Sequence, residues 1–265
     1  MFARINHVAL ISPHYAMLGK FYESLFGMRP GDSPPDSAVS YGDGNVGLQI
    51  LPRRDGYIAG LDHFGMLVDD LGSVQTRMRK YDGANMVKRP SSRPFAAYSG
   101  NDPDGNHFDV AEAGSENLKE VYAEGAREPE CYINLFAVRT PHADRVSSYY
   151  QDVFELAPVE QDADDLGYTL SDGRVMLRIL PWDMTHFHGM AIKRPGPEHF
   201  GFHVEDIDAF KADVARLTGG NTLLAPVALG GSAESDVRRR LFQSGARGKY
   251  QMADTDGIWI DITDE

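Results

Sequence analysis

Two histidines stand in nearly identical surroundings. His63 lies in Gly60-Leu-Asp-His-Phe-Gly-Met-Leu-Val-Asp-Asp-Leu71, and His199 lies in Gly196-Pro-Glu-His-Phe-Gly-Phe-His-Val-Glu-Asp-Ile207. Each stretch reads as a short strand running into an acidic helix start, at Asp69-Asp70 or Glu205-Asp206. An imidazole near the start of a barrel-lining strand is well placed to ligate a metal, so both are candidate ligands. His186 and His188, alternating in Trp182-Asp-Met-Thr-His-Phe-His-Gly189, fall in a stretch read as a loop and are weaker candidates. The single cysteine, Cys131, permits no intrachain disulfide and no cysteine-rich metal site.

The elements that would position these histidines repeat along the chain. A first strand, Arg4 to Ile11, places His7, Ala9 and Ile11 on one face by its two-residue period. A helix from about Tyr15 follows, with Leu18, Phe21, Tyr22, Leu25 and Phe26 at helical spacing and Gly27 at its end. Ala38 to Tyr41 and Val46 to Leu51, joined by Gly42-Asp-Gly-Asn45, read as a hairpin. A strand from Asp62 to Val68, a helix from Leu71 to Tyr81 and a strand near Phe95 to Ser99 come next. The turn Asn101-Asp-Pro-Asp-Gly-Asn106 then leads into a strand over His107 to Ala111.

The second half restates the first. Ile133-Asn134 echoes Ile5-Asn6, and Tyr149-Tyr-Gln-Asp-Val-Phe-Glu-Leu156 echoes Phe21-Tyr-Glu-Ser-Leu-Phe-Gly-Met28. Asp172-Gly-Arg-Val-Met-Leu-Arg-Ile-Leu-Pro181 echoes Asp43-Gly-Asn-Val-Gly-Leu-Gln-Ile-Leu-Pro52, and Asp254-Thr-Asp-Gly-Ile-Trp-Ile-Asp261 echoes Asp102-Pro-Asp-Gly-Asn-His-Phe-Asp109. The expectation is four strand-helix-strands modules in two domains, residues 1–113 and 131–265, joined by a polar linker over 114–130.

Composition sets the class. A chain that is 42% hydrophobic and 25% charged is that of a soluble globular protein. Its net charge of −13 argues against a nucleic-acid or anionic-membrane partner and favours a small-molecule substrate. The N-terminal Met-Phe-Ala-Arg lacks the apolar run of a signal peptide, and no run of about 18 apolar residues suggests a membrane span. A cytoplasmic protein, with a homodimer as one arrangement, is expected.

Asn6-His-Val-Ala-Leu10, the helix end Phe21 to Met28, Asp62-His-Phe-Gly-Met-Leu-Val-Asp69 and Asp102 to Asp109 together resemble the vicinal oxygen chelate superfamily. Glyoxalase I, bleomycin-resistance proteins and extradiol ring-cleaving dioxygenases belong to that group. The order and spacing of these pieces recur in both halves and cover nearly the whole chain. The resemblance implies an α+β fold of four βαβββ modules paired into two half-open barrels. It also implies a divalent metal that holds a substrate through two neighbouring oxygens.

Carried over position by position, the resemblance offers His7 and Gln49 from module one, and His63 and Asp109 from module two. Module three offers Leu135 and Arg178, which do not suit a cation, and module four offers His199 and Asp261. If adjacent modules pair, the set is His7, His63 and Asp109 with Gln49 as a fourth ligand; if modules one and four pair, it is His7, His199 and Asp261. Adjacent pairing is preferred. Two histidines and a carboxylate suit Fe(II) in a dioxygenase, and Zn, Mn, Ni or Co in a glyoxalase-type lyase or isomerase. Asp109 departs from the Glu more frequent at that position, which leaves a metal-free binding or resistance protein as a third reading.

Several further side chains are candidates around such a site. His107 shares the strand face of Asp109 and is a candidate proton shuttle. Tyr98, matched by Tyr250, precedes the Asp-rich turn and could hydrogen-bond a substrate oxygen. His203 shares a face with His199, Trp259 would form an aromatic wall, and Arg238-Arg-Arg240 reads as a solvated face.

Overall fold

The structure, a computed structural model, describes residues 2–31, 38–89, 95–115, 130–161, 165–185 and 194–264. His186, His188 and all but the ends of the 114–130 linker lie outside the described residues.

The first module is β1 (Ala3–Ser12), α1 (Tyr15–Phe26), β2 (Arg29–Pro30), β3 (Val39–Gly42) and β4 (Gly47–Pro52). The second is β5 (Gly60–Val68), α2 (Leu71–Met78), β6 (Asn85–Lys88), β7 (Tyr98–Asn101) and β8 (His107–Glu112). The third is β9 (Cys131–Thr140), α3 (Ala143–Phe154), β10 (Ala157–Pro158), β11 (Tyr168–Ser171) and β12 (Met176–Pro181). The fourth runs β13 (Gly196–Val204), α4 (Ile207–Gly220), α5 (Ala233–Gly245), β14 (Tyr250–Ala253) and β15 (Trp259–Thr263). The class is α+β, as expected, and each sheet is open rather than closed into a barrel.

The fourth module departs from the expected pattern in one element: helix α5 stands where module two has strand β6. The residues dictate this locally. Ser232 and Ser235 form a reciprocal capping box, and Glu234 and Asp236 lie in the first turn, where the helix dipole favours negative charge. The arginine run read as a solvated face is part of this helix.

One sheet has the order β2-β3-β4-β1-β5-β8-β7-β6, the other β10-β11-β12-β9-β13-β15-β14. All strands of the first therefore come from the first half of the sequence, and all strands of the second from the second half. Packing divides the chain differently from 1–113 and 131–265. One compact unit gathers the described parts of Met1–His7, His63–Lys119 and Leu135–Glu198; the other gathers those of Val8–Asp62, Glu120–Asn134 and His199–Glu265.

Aromatic side chains explain this partition. In the first unit α3 lies on β11 and β12 of its own module, and Tyr150 also meets Phe64 at 5.8 Å while Phe154 meets Phe108 at 5.5 Å. In the second, Phe26 of α1 stacks on Phe202 of β13 at 4.0 Å, and Tyr22 lies 5.8 Å from Phe200. Such pairs add about 0.5–1.5 kcal/mol each beyond the area they bury. Because Phe64 and Phe108 take one face of β5 and β8, strand alternation leaves His63, Gly65, His107 and Asp109 to the other.

The repeated Asp-rich turns reinforce each unit. Asp104 accepts from Thr140 Oγ1 at 2.5 Å and from the His142 N–H at 2.8 Å, and Asp256 does the same for Ser12 and the His14 ring. Asp172 accepts the N–H of Ile5 and Asp43 that of Ile133. Asp254 is fully buried and accepts from Tyr22 Oη at 2.6 Å. Burial outweighs its hydrogen bonds from Tyr22 and the backbone and pushes its pKa up to about 6.

A pKa raised on folding means stability that is fully present below the unfolded value, near 4, and lost as pH rises through about 6. The loss amounts to about 3 kcal/mol. Asp254→Asn can keep the turn's hydrogen bonds and is expected to remove this dependence. Urea unfolding of both proteins at pH 4 and pH 7 checks it, and parallel profiles would show the assignment to be mistaken.

Among the described residues, no helix is long and apolar enough to cross a membrane.

Candidate metal centre

β1, β5 and β8 lie side by side in the first sheet and each brings one fully buried polar side chain to a common face. They are His7, His63 and Asp109. One donor atom from each lies within 4.8 Å of the others, the only such group of His, Cys, Asp or Glu among the described residues. All three are buried and belong to the same compact unit.

His7 is held in a single orientation. Its Nδ1–H donates to Asn6 Oδ1 at 2.9 Å, so Nε2 carries the lone pair. That atom is buried without a hydrogen-bond partner and faces Asp109 Oδ2 at 3.9 Å. The ring packs on Phe95 at 5.3 Å and edge-on to His63 at 5.6 Å. It also lies directly over Gly65: a Cβ there would come within 1.9 Å of His7 Cε1. Phe95 itself has φ 69, an unusual backbone state for a bulky residue. Burial first, and then the neighbouring His63, push the His7 pKa down to about 3, against the pull of Asp109. The imidazole is neutral at neutral pH, the form that ligates metal.

Asp109 is the hub. Its Oδ2 faces His63 Nε2 at 3.1 Å and takes the Arg89 guanidinium, while Oδ1 accepts from Ser99 Oγ at 2.8 Å. Burial alone would raise its pKa, but the His63 hydrogen bond and the charges of His63, His7 and Arg89 hold it well below the usual carboxylate range. His107 Nε2 lies 3.5 Å from Asp109 Oδ1, with its ring edge-on to His63 at 4.9 Å and its side chain 40% exposed.

These residues fit a divalent cation. A neutral imidazole lone pair and a carboxylate oxygen face each other across 3.9 Å, two acceptors with His63 beside them. A metal ion satisfies all three donors, and Asn6 supplies the outer hydrogen bond that ligating histidines need.

Gln49 is buried on β4, in register with Ser40 of β3. Tyr98 neighbours Ser99, whose side chain meets Asp109, so alternation turns Tyr98 to the other face.

His199 and Asp261 belong to the second sheet, and the structure does not bring them together with His7 as a ligand set. Asp261 accepts the N–H groups of Arg247 at 2.7 Å and Gly248 at 2.9 Å, just beyond α5. His199 packs on Phe242 of α5, which stacks on Trp259 at 4.8 Å with Arg238 over that indole. Arg178 pairs with Asp165, and the His203 ring lies 4.8 Å from Tyr132. The face of the second sheet that carries His199 is thus covered by α5.

Sequence reasoning missed Asn6, Gly65, Arg89, Phe95 and Ser99. The echo of Ile5-Asn6 in Ile133-Asn134 marked Asn6 as more than incidental, and Ser99 follows from register with Asp109. Arg89 and Phe95 left no signal, since neither sits in a repeated motif.

Residues 4–110 match the family model of the Glyoxalase/Bleomycin resistance protein/Dioxygenase superfamily. No curated protein matches the sequence.

Solved structures share the fold at low identity. The Mn(II)-bound glyoxalase from Novosphingobium aromaticivorans is 15% identical with a TM-score of 0.67, over 99% of this chain and 82% of that one. An extradiol ring-cleaving dioxygenase from B. fuscum is 14% identical with a TM-score of 0.65, over 98% and 71%. A xylose isomerase-like TIM barrel/4-hydroxyphenylpyruvate dioxygenase fusion protein is 14% identical with a TM-score of 0.58; the alignment covers 83% of this chain and 39% of that longer one.

Proposed function

We propose that this protein is a divalent-metal enzyme that binds a small substrate through two neighbouring oxygens, and that its reaction is extradiol-type cleavage of a catechol-like ring. The observation that carries this reading is the buried, neutral His7 imidazole whose unpaired Nε2 faces Asp109 beside His63. His7, His63 and Asp109 would hold the ion, which as Fe(II) would supply a centre for activating substrate and dioxygen together. The extradiol dioxygenase among the structural relatives supports this choice.

The chain's own residues then have distinct tasks. Asn6 fixes the His7 tautomer and Ser99 fixes the Asp109 carboxylate. Phe95, fully buried against His7, excludes water from that side. His107 reaches solvent at one edge and the cluster at the other, so its Nε2 can move a proton between them.

The Arg89 guanidinium on Asp109 favours a second reading, a metal-free small-molecule binding protein, because Asp109 already has a counter-charge. A glyoxalase-type lyase is a third, supported by the Mn(II)-bound relative. Purified protein is loaded anaerobically with Fe(II), its metal content is measured, and oxygen uptake is followed across a panel of catechols. Stoichiometric iron and diol-dependent uptake are expected. Turnover with Mn(II) or Zn without oxygen would select the lyase, and no metal retention with a ligand recovered unchanged would select the binding protein.

A further inference from the structure

Arg89 is the residue in the cluster that a simple metal site does not need. Its guanidinium pairs with Asp109 Oδ2, the same oxygen that faces His63 Nε2 at 3.1 Å and His7 Nε2 at 3.9 Å. The other carboxylate oxygen accepts from Ser99 Oγ at 2.8 Å and lies 3.5 Å from His107 Nε2. The Arg89 backbone N–H is fixed to the Ala97 carbonyl at 2.7 Å, but the side chain is 18% exposed and has an outlet to solvent.

We propose that Arg89 is a tethered cation that competes with the divalent ion for Asp109, so that metal loading and release of the guanidinium are a single event. The inference rests on the reading of His7, His63 and Asp109 as metal ligands. Charge makes the two occupants exclusive. Asp109 and Arg89 together are neutral, and the buried His7 adds no charge. A doubly charged ion on Oδ2 with the guanidinium still in contact would place like charges a few ångströms apart in a largely dry site, where repulsion is weakly screened. Displacement relieves it: Asp109 turns its charge to the ion, and Arg89 swings outward through its exposed edge, where it can meet an anionic group on an incoming substrate.

Arginine suits this role better than lysine. It stays protonated at any working pH, so the competition does not switch off as the solution changes. The arrangement also keeps the carboxylate compensated whichever cation is present.

The test is a Mn(II) titration, read from the electron paramagnetic resonance signal of free Mn(II), on wild type, Arg89→Ala and Arg89→Lys. Thermal unfolding is measured with and without Mn(II). If Arg89 competes, Arg89→Ala binds Mn(II) roughly tenfold or more tightly than wild type. Its melting temperature falls without the ion and rises further than wild type when Mn(II) is added, and Arg89→Lys lies between the two. Equal affinity in wild type and Arg89→Ala, or weaker binding in the variant, would overturn the proposal and leave the ligand assignment standing. No Mn(II) binding by any of the three would remove the ligand assignment and the proposal with it.

Discussion

Asp109→Ala is expected to lower the unfolding free energy by about 3 kcal/mol, because it removes a buried carboxylate and strands its partner cation. Asp109 is 1% exposed and holds Arg89, His63 and Ser99 at once. Removing one member of a buried pair leaves the other uncompensated, usually at a larger cost than the pair was worth. Arg89 retains some access to water, which places the loss toward the lower end of that range. Adding Arg89→Ala to Asp109→Ala is therefore expected to restore a substantial part of the stability, since it removes the stranded charge. Urea unfolding of wild type, both single variants and the double variant at neutral pH measures the coupling. Additive losses would mean that Arg89 and Asp109 stabilise the fold independently, contrary to the contact between them.

Gly65→Ala should be nearly as damaging, although it adds only a methyl group. The new Cβ would lie 1.9 Å from His7 Cε1, 2.1 Å from its Nδ1 and 2.8 Å from Asn6 Oδ1. The imidazole cannot share that space, so it must leave both Asn6 and the cluster. Overpacking of this kind costs about 1–3 kcal/mol, and here the hydrogen bond from His7 to Asn6 is lost as well. The expected result is a loss of about 3 kcal/mol together with loss of stoichiometric divalent metal. Gly219→Ala is the matched control: nothing lies within 4 Å of its added Cβ, and it is expected to leave both properties unchanged. Denaturation midpoints and metal content of the two variants decide the matter. Full metal retention by Gly65→Ala would show that His7 can ligate from another position.

The two variants also mark how far the sequence was readable. His7, His63 and Asp109 were accessible because each occupies a repeated strand motif, and alternation put them on one face. Adjacency brings His7, His63 and Asp109 together: β1, β5 and β8 belong to one sheet, whereas His199 and Asp261 belong to the other. Gly65 was in plain view within the most repeated stretch, yet its importance arises from a ring on a neighbouring strand. Arg89 was invisible because its partner lies 20 residues away and no periodicity connects them. Tyr98, next to Ser99 in its strand, lies on the face opposite Asp109.

The fold was legible to a similar depth. The recurring helix ends and Asp-rich turns announced four modules. Ser232, Glu234, Ser235 and Asp236 carried a helix start that the expectation of a strand concealed. The turns were recognised as local reversals, but their acids also bind elements from the other half of the sequence. Local signals give the turn; the identity of the group that each carboxylate meets depends on tertiary packing.

Helix α3 shields β5 and β8 as well as its own hairpin, and α1 does the same for β13. Each compact unit is thus drawn from both copies, and division at the sequence repeat would expose apolar sheet on either side of the cut. Neither half of the sequence can therefore be removed without uncovering apolar sheet of the other.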